Sequence, residues 1–518
     1  MNISPIICLS AVIAGCCVLA STSDAAMKQT APTEYNIRDF GAKGDGRTDD
    51  STAVQSAIDE AYKAGGGIVF VPGSVKGWAL KKPILIRPNV TLKGIHAGPT
   101  DAQFLAWHDA GPTVQKAGLP TVPGGLLVMQ DKYPAVTLSH NSGIRGITFA
   151  YPDQVPYKAL PIKVYPPAMQ IKGYDNGSVV LGIPRTHGIK ADGPISGRSV
   201  TIRDIGALNA YHILDMSGEN PARYQVAQIT VDGLWGYPLS VGVNIQNSLD
   251  TIMLHNIQFR PTFFGPVCGE VSKTSIGFAL GKSDGCVISD ILVFGLGIGI
   301  LHKSIEGGYG AFSVRASNAN IEAMLPVWMD SKAVDDQIQY SNSFFFHTAF
   351  AFHKEPGDVY SRAGHTLFPE LSYTPKDLCT ARISNRCETR DTFQSYARFV
   401  GCGFHPNGGG PICRVEGTRL VRVTIASSHM VYFKDAVLQV APDAKVLGII
   451  TGNDIMLHST NLSAAAPDDP NVHLIDIGKA GKESRVIFSD NMLHGIKPSL
   501  LDEVSANPGI ESNGNLGL

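Results

Sequence analysis

The sequence predicts an all-β chain wound as a single solenoid, and three observations carry that expectation. An apolar strand, a polar turn residue and a second apolar strand recur over roughly 300 residues. Their intervals of about 25 to 50 residues suit stacked coils with loops of unequal length. Examples are Val200-Thr201-Ile202-Arg203-Asp204-Ile205, Ile229-Thr230-Val231-Asp232-Gly233-Leu234 and Val486-Ile487-Phe488-Ser489-Asp490. The turn residue is Asp204, Asp232, Asn256, Asp290, Asn342 or Asp490. Asn and Asp there can bond the backbone of a bend and stack on the next coil, so each reads as structural before it reads as catalytic. Composition agrees: 55 of 518 residues are Gly and only 17% are charged, which favours turns and short strands over long helices.

Taken in order, residues 1–26 read as an export leader. The apolar run at 6–19 is too short for a bilayer span and suits a signal-peptide core. Ser23-Asp24-Ala25-Ala26 then offers small residues for cleavage, although the start carries no Lys or Arg. Ile13-Ala14-Gly15-Cys16 also fits a lipobox, which makes lipid anchoring at Cys16 the alternative to secretion or the periplasm. No later segment approaches the ~18 apolar residues of a membrane span. Outside the leader stand Cys268, Cys286, Cys379, Cys387, Cys402 and Cys413. An even number in an exported chain suits disulfides, with 268/286, 379/387 and 402/413 near enough in sequence to staple loops. No zinc-type spacing is present, and neither a metal nor a cofactor is expected.

Residues 27–100 then read as a cap with the first coils. The segment Tyr35-Asn36-Ile37-Arg38-Asp39-Phe40-Gly41-Ala42-Lys43-Gly44-Asp45-Gly46-Arg47-Thr48-Asp49-Asp50 is a short strand and a Gly/Asp turn leading to a helix. Asp49 and Asp50 sit where carboxylates cap free helix N–H groups. Val54, Ala57, Ile58 and Ala61 recur at helical spacing, Gly65-Gly66-Gly67 ends the helix, and a strand runs to Pro72. This stretch, residues 35–73, closely resembles the N-terminal signature of the pectate-lyase-3 (rhamnogalacturonase/epimerase-like) group. The resemblance implies a single-stranded right-handed parallel β-helix whose short helix caps its N-terminal end. It also implies a carbohydrate ligand and allows a homotrimer. The group includes glycoside hydrolases, polysaccharide lyases, epimerases and phage tailspike proteins, so it does not choose a reaction. The β-helix itself is expected over 101–510, with a tail at 511–518.

Residues just past the repeated turn include Trp235, Tyr237, Phe259, Arg260, Phe294, Phe344, Phe345, Phe346, His347, Phe404, His405 and His494. Equivalent positions stack about 4.8 Å apart, so these form a column in which alternate members point inward. Trp235, Tyr237 and Arg260 are expected at the surface, because Gly236, Pro238 and Pro261 mark irregular backbone beside them, and such rings stack on sugars. Long loops follow on the central coils, at 261–270, 302–309, 328–336 and 353–390, and could wall a groove. Their acids Glu270, Glu306, Asp330, Asp335 and Asp336 form the pool for glycoside hydrolysis, which needs two carboxyls about 5–10 Å apart. Phe263, Lys303, Tyr309 and His347 join the candidate sugar contacts, and His302 the candidate catalysts.

A secreted glycosidase or transglycosidase is therefore the leading expectation. The alternative is a lyase on a uronate polymer, whose base would come from His302, Lys303, Arg260, His347 or Arg315. A non-catalytic glycan-binding β-helix is the third. Polygalacturonase motifs are absent: Asp335-Asp336 follows Val334, and there is no Gly-His-Gly. A balance of 43 Lys+Arg against 45 Asp+Glu argues against nucleic acid and leans mildly against a strongly anionic substrate.

Overall fold

The computed structural model describes residues 34–95, 124–154, 162–171, 174–175, 197–208, 210–217, 224–248, 250–260, 271, 273–303, 311–332, 337–347, 371, 378–386, 395–406, 410–431, 435–456, 472–478, 483–496 and 498–517. The chain is a right-handed parallel β-helix. Apart from an antiparallel pair of short strands, Tyr174–Asp175 with Tyr224–Gln225, its strands pair in parallel with equivalent strands one coil away, giving three longitudinal sheets. The first runs from Glu34–Asn36 through Gly67–Phe70 and Val90–Lys93 to Arg485–Ser489 and Ile510–Asn513. The second includes Phe344–His347, Gly403–His405, His429–Val431 and Asp454–Met456. The third includes His212–Met216, Val241–Asn247, Ile276–Asp284, Ala381–Asn385 and Cys413–Glu416. The expected tail is no tail: Ile510–Asn513 and Leu516–Gly517 pair onto the preceding coil.

The bend between first and second sheets is a column of left-handed residues. Asp204, Asn256, Asp290, Asn318 and Asn342 have φ of 51°, 51°, 56°, 52° and 47°. Only Gly and, less readily, Asn or Asp enter that region at low cost, which explains the repeated residue type. One rung differs from the expectation. Gly233, at φ 82°, makes the bend, and Asp232 lies one residue earlier, 4.0 Å from Arg203 on the surface.

Inside, alternating strand residues build one apolar column. Tyr340 stacks on Phe399 at 5.3 Å, and Phe345 on Phe404 at 5.5 Å. The final coils replace apolar stacking with an asparagine ladder: Asn453 Nδ2 donates to Asn491 Oδ1, and Asn491 Nδ2 donates to Asn515 Oδ1, each at 2.9 Å. Helix α1 (Ser51–Lys63) buries Val54, Ala57, Ile58 and Ala61 over the first coil. Its acids act differently from simple caps. Asp50 is buried and accepts from Lys43 N, Gly44 N and Ala79 N at 2.6, 3.2 and 3.3 Å, and so ties the Gly/Asp turn to the β-helix. Asp49 accepts from Ser51 N and Lys81 N. Helix α2 (Pro498–Ala506) lies near the other end, burying Val504. Among the described residues, no helix is long and apolar enough to cross a membrane.

Candidate active site

Four successive coils of the third sheet end in polar residues at equivalent places, three of them charged. Lys303 is the register partner of Asp330, Asp330 of Ser384, and Ser384 of Glu416. Strand alternation sends these four side chains outward while His302, Met329 and Ile383, one residue earlier, face the core. The column therefore rises in steps of about 4.8 Å as amine, carboxylate, hydroxyl and carboxylate. Arg386, just beyond its strand, donates from Nη2 to Asp330 Oδ1 at 2.6 Å. Arg382 donates from Nε and Nη2 to Glu416 Oε2 at 3.1 and 3.0 Å, and its guanidinium lies 4.6 Å over the Trp328 ring. Ser384 Oγ reaches the same Glu416 oxygen at 3.3 Å.

The groups are sheltered without being sealed. The Asp330 side chain is 3% exposed and that of Arg386 is 50% exposed, so a buried carboxylate meets solvent through its arginine. Burial pushes the Lys303 amine down to about 8, Asp330 opposes the shift, and the positive Lys332 and Arg386 reinforce it. Beside the column, Leu371, Leu378 and Cys379 pack on outward-facing Ala279, Leu301 and Trp328 and form an apolar wall. On earlier coils the same face is amide-rich: Gln170 and Asn244 both donate to the Asp215 carboxylate.

Of the residues expected at the site, Lys303 and Asp330 are thus brought together. Glu270, Glu306, Asp335, Asp336, Phe263 and Tyr309 lie outside the described residues, as do residues 1–26, Cys16, Cys268 and Cys387. Several others face elsewhere. His302 is interior, bonding Tyr340 Oη through Nε2 at 2.6 Å, and burial lowers it to about 3. His347 is interior too, with Nδ1 2.5 Å from Met324 O. Neither can meet a polymer, because each falls on the inward phase of its strand. Tyr237 is fully buried, its hydroxyl donating to Gly295 O at 3.3 Å, and Trp235 is 8% exposed. Arg260 is exposed as expected.

The expected loop staples also change. Cys286, Cys402 and Cys413 are buried free thiols, so the 402/413 bridge is not formed and Cys286 does not bridge to 268. Cys286 and Cys413 open their strands and Cys402 lies buried between Ser395–Val400 and Gly403–His405, and burial raises the Cys286 and Cys402 thiols to about 12 and 11. Arg382, Ser384, Arg386 and Glu416 were not singled out from sequence. The first three fall in what reads as one long loop, and only the alternation in Ala381-Arg382-Ile383-Ser384-Asn385 marks the strand there.

Residues 35–106 match the family described as rhamnogalacturonase A/epimerase, pectate lyase-like. The resemblance read from the N-terminal segment is borne out. Over 72 residues the chain is 50% identical to alginate lyase 7 and 46% identical to mannuronan C5-epimerase AlgE6, both of Azotobacter vinelandii. Each match spans 13% of this chain and 8% of the relative, so it covers the cap and little else. Solved structures extend the likeness in fold. The catalytic unit of a GH87 α-1,3-glucanase from Streptomyces thermodiastaticus aligns with a TM-score of 0.51 at 11% identity, over 92% of this chain and 70% of that one. A tailspike protein of E. coli bacteriophage HK620, solved with a hexasaccharide, aligns at 0.51 and 10% identity, over 93% and 78%. The likeness to the solved structures is one of fold, and none of these likenesses chooses a mechanism.

Proposed function

We propose that this chain is an exported lyase that cleaves a uronate-containing polysaccharide by β-elimination on the outer face of the third sheet. The observation that carries the reading is Lys303: an amine lowered to about 8, in register beside Asp330 and the Arg386 bound to it. A general base works best with a pKa near the operating pH. Neutral Lys303 takes the proton from C5, beside the uronate carboxylate. The C5–H electron pair forms the C4–C5 double bond, the C4–O bond breaks, and the departing oxygen takes a proton from water while the Lys303 ammonium returns its own to solvent. Arginine suits the partner role, since its guanidinium binds a carboxylate with paired donors; Arg386 would neutralise the substrate carboxylate as charge builds on it. The N-terminal likeness to proteins named alginate lyase and mannuronan C5-epimerase supports a uronate, and makes alginate the first substrate to try.

A paired-carboxylate hydrolase is the second reading. Asp330 and Glu416 share one outward column two coils apart, about 9.6 Å by coil spacing, near the separation of inverting glycosidases. Both carboxylates are already held by arginines, which favours the lyase. Incubation with alginate and with a neutral glucan decides between them. Ultraviolet absorbance from an unsaturated uronate end supports elimination; new reducing ends without absorbance overturn it for hydrolysis.

A further inference from the structure

The second sheet carries an outward strip of rings that the charged cleft does not use. Phe344 and Phe346 point outward while Phe345 between them is buried. The rings of Phe344 and Phe346 lie 5.7 Å apart, and His405 on the next coil sits 5.4 and 4.7 Å from them. Phe344 is 45% exposed. Its ring lies across Gly403, where a Cβ would come within 2.7 Å of it, so the glycine lets the ring lie close against the sheet. In register beside these rings stand Asn320, partner of Phe344, and Glu322, partner of Phe346.

Among the described residues, two polar atoms of this outward face have no hydrogen-bond partner. Asn320 Oδ1 is buried without a donor, and Trp235 Nε1, three coils earlier in the same outward column on a residue only 8% exposed, has no acceptor. Buried polar groups left unpaired are costly, and a contiguous exposed aromatic patch marks an interaction surface. We infer that this strip is a second saccharide-binding platform, on which pyranose rings of a neutral glycan stack against Phe344 and Phe346 and their hydroxyls bond Asn320 and Glu322. An apolar protein partner would cover Glu322 and Asn320 without satisfying them, whereas sugar hydroxyls both donate and accept. Glu322, partly buried in register with Phe346, brings a carboxyl rather than a cation to this face, which disfavours a uronate here and separates this face from the cationic cleft.

Affinity electrophoresis of the full chain in gels holding a soluble neutral glucan, with alginate gels as the charged comparison, tests the platform. The neutral glucan should retard the protein. Phe346→Ala should weaken that retention at least tenfold and the isosteric Glu322→Gln severalfold, each with an unchanged circular-dichroism melt. Lys303→Met should retain the neutral glucan normally, so this outcome stands apart from the fate of the lyase reading. Absence of retardation overturns the platform, as does normal retention by both platform variants. Loss of retention in Lys303→Met would place the binding in the third-sheet cleft. Concentration-dependent self-association, without glucan retention, would assign the rings to a second copy of the chain and likewise overturn it.

Discussion

At the scale of single residues, the proposed elimination turns on Lys303 and the arginines around it. The folded-state value of about 8 lies below that of an ordinary lysine. The neutral amine therefore grows tenfold per pH unit below 8 and levels off above it. The kcat/KM for a uronate polymer should rise from pH 6 to about 8 and then plateau, a profile that initial rates across buffers would reveal. Lys303→Arg should remain inactive across that range because a guanidinium stays protonated, and Lys303→Met should lose about 10²- to 10⁴-fold. The same depression carries a stability sign. The unfolded lysine binds more protons than the folded one between about 8 and 10.4, so this group's contribution to stability rises with pH across that window. Asp330→Asn removes the buried partner of Arg386. It should shift the rate plateau to lower pH, because the carboxylate is what holds the Lys303 value up; an unmoved plateau would separate Asp330 from the base.

Elements owe their regularity to two repeated backbone demands. The left-handed bend tolerates Gly, Asn and Asp and penalises branched side chains. Asn256→Gly should leave the melting temperature nearly unchanged, while Asn256→Val should cost about 1–3 kcal/mol, a contrast that thermal melts of both variants would show. The ladder of Asn453, Asn491 and Asn515 works through side chains instead. Asn491 also donates to Ile450 O, and Asn453 N donates to Asn491 Oδ1, each at 3.1 Å. Asn491→Ala leaves several of these buried groups unpaired, and about 3 kcal/mol of destabilisation is expected. Denaturant midpoints of the purified variant would check it. The bend was legible because its residue type repeats every coil. Asp232 was misplaced by one position because an adjacent Gly can do the same work.

Across the whole molecule, stacking makes the ends vulnerable, since a terminal coil has unpaired strand edges. Asp50 locks the N-terminal turn to the first coils through three backbone donors. Asp50→Ala should lower the melting temperature and promote association, visible as light scattering on heating; a soluble variant with the normal melt would deny the cap that role. Net charge illustrates how whole-chain quantities mislead about sites. A formal charge of −2 leaned against an anionic substrate, yet Lys303, Lys332, Arg382 and Arg386 gather on one face because coil stacking brings residues 303 and 386 within two rungs.

The sequence by itself determined the solenoid, its capping helix and the Asn/Asp bend, because each follows from local spacing or from the φ that one residue type accepts. It also placed Lys303 and Asp330 among the candidates. Only the tertiary structure decided which of them face solvent. His302 and Lys303 are neighbours in the chain, yet strand alternation buries one in the core and sets the other beside Asp330. Arg382, Ser384, Arg386 and Glu416 join that face through parallel register alone, which links positions some thirty or more residues apart and leaves no mark within any one coil.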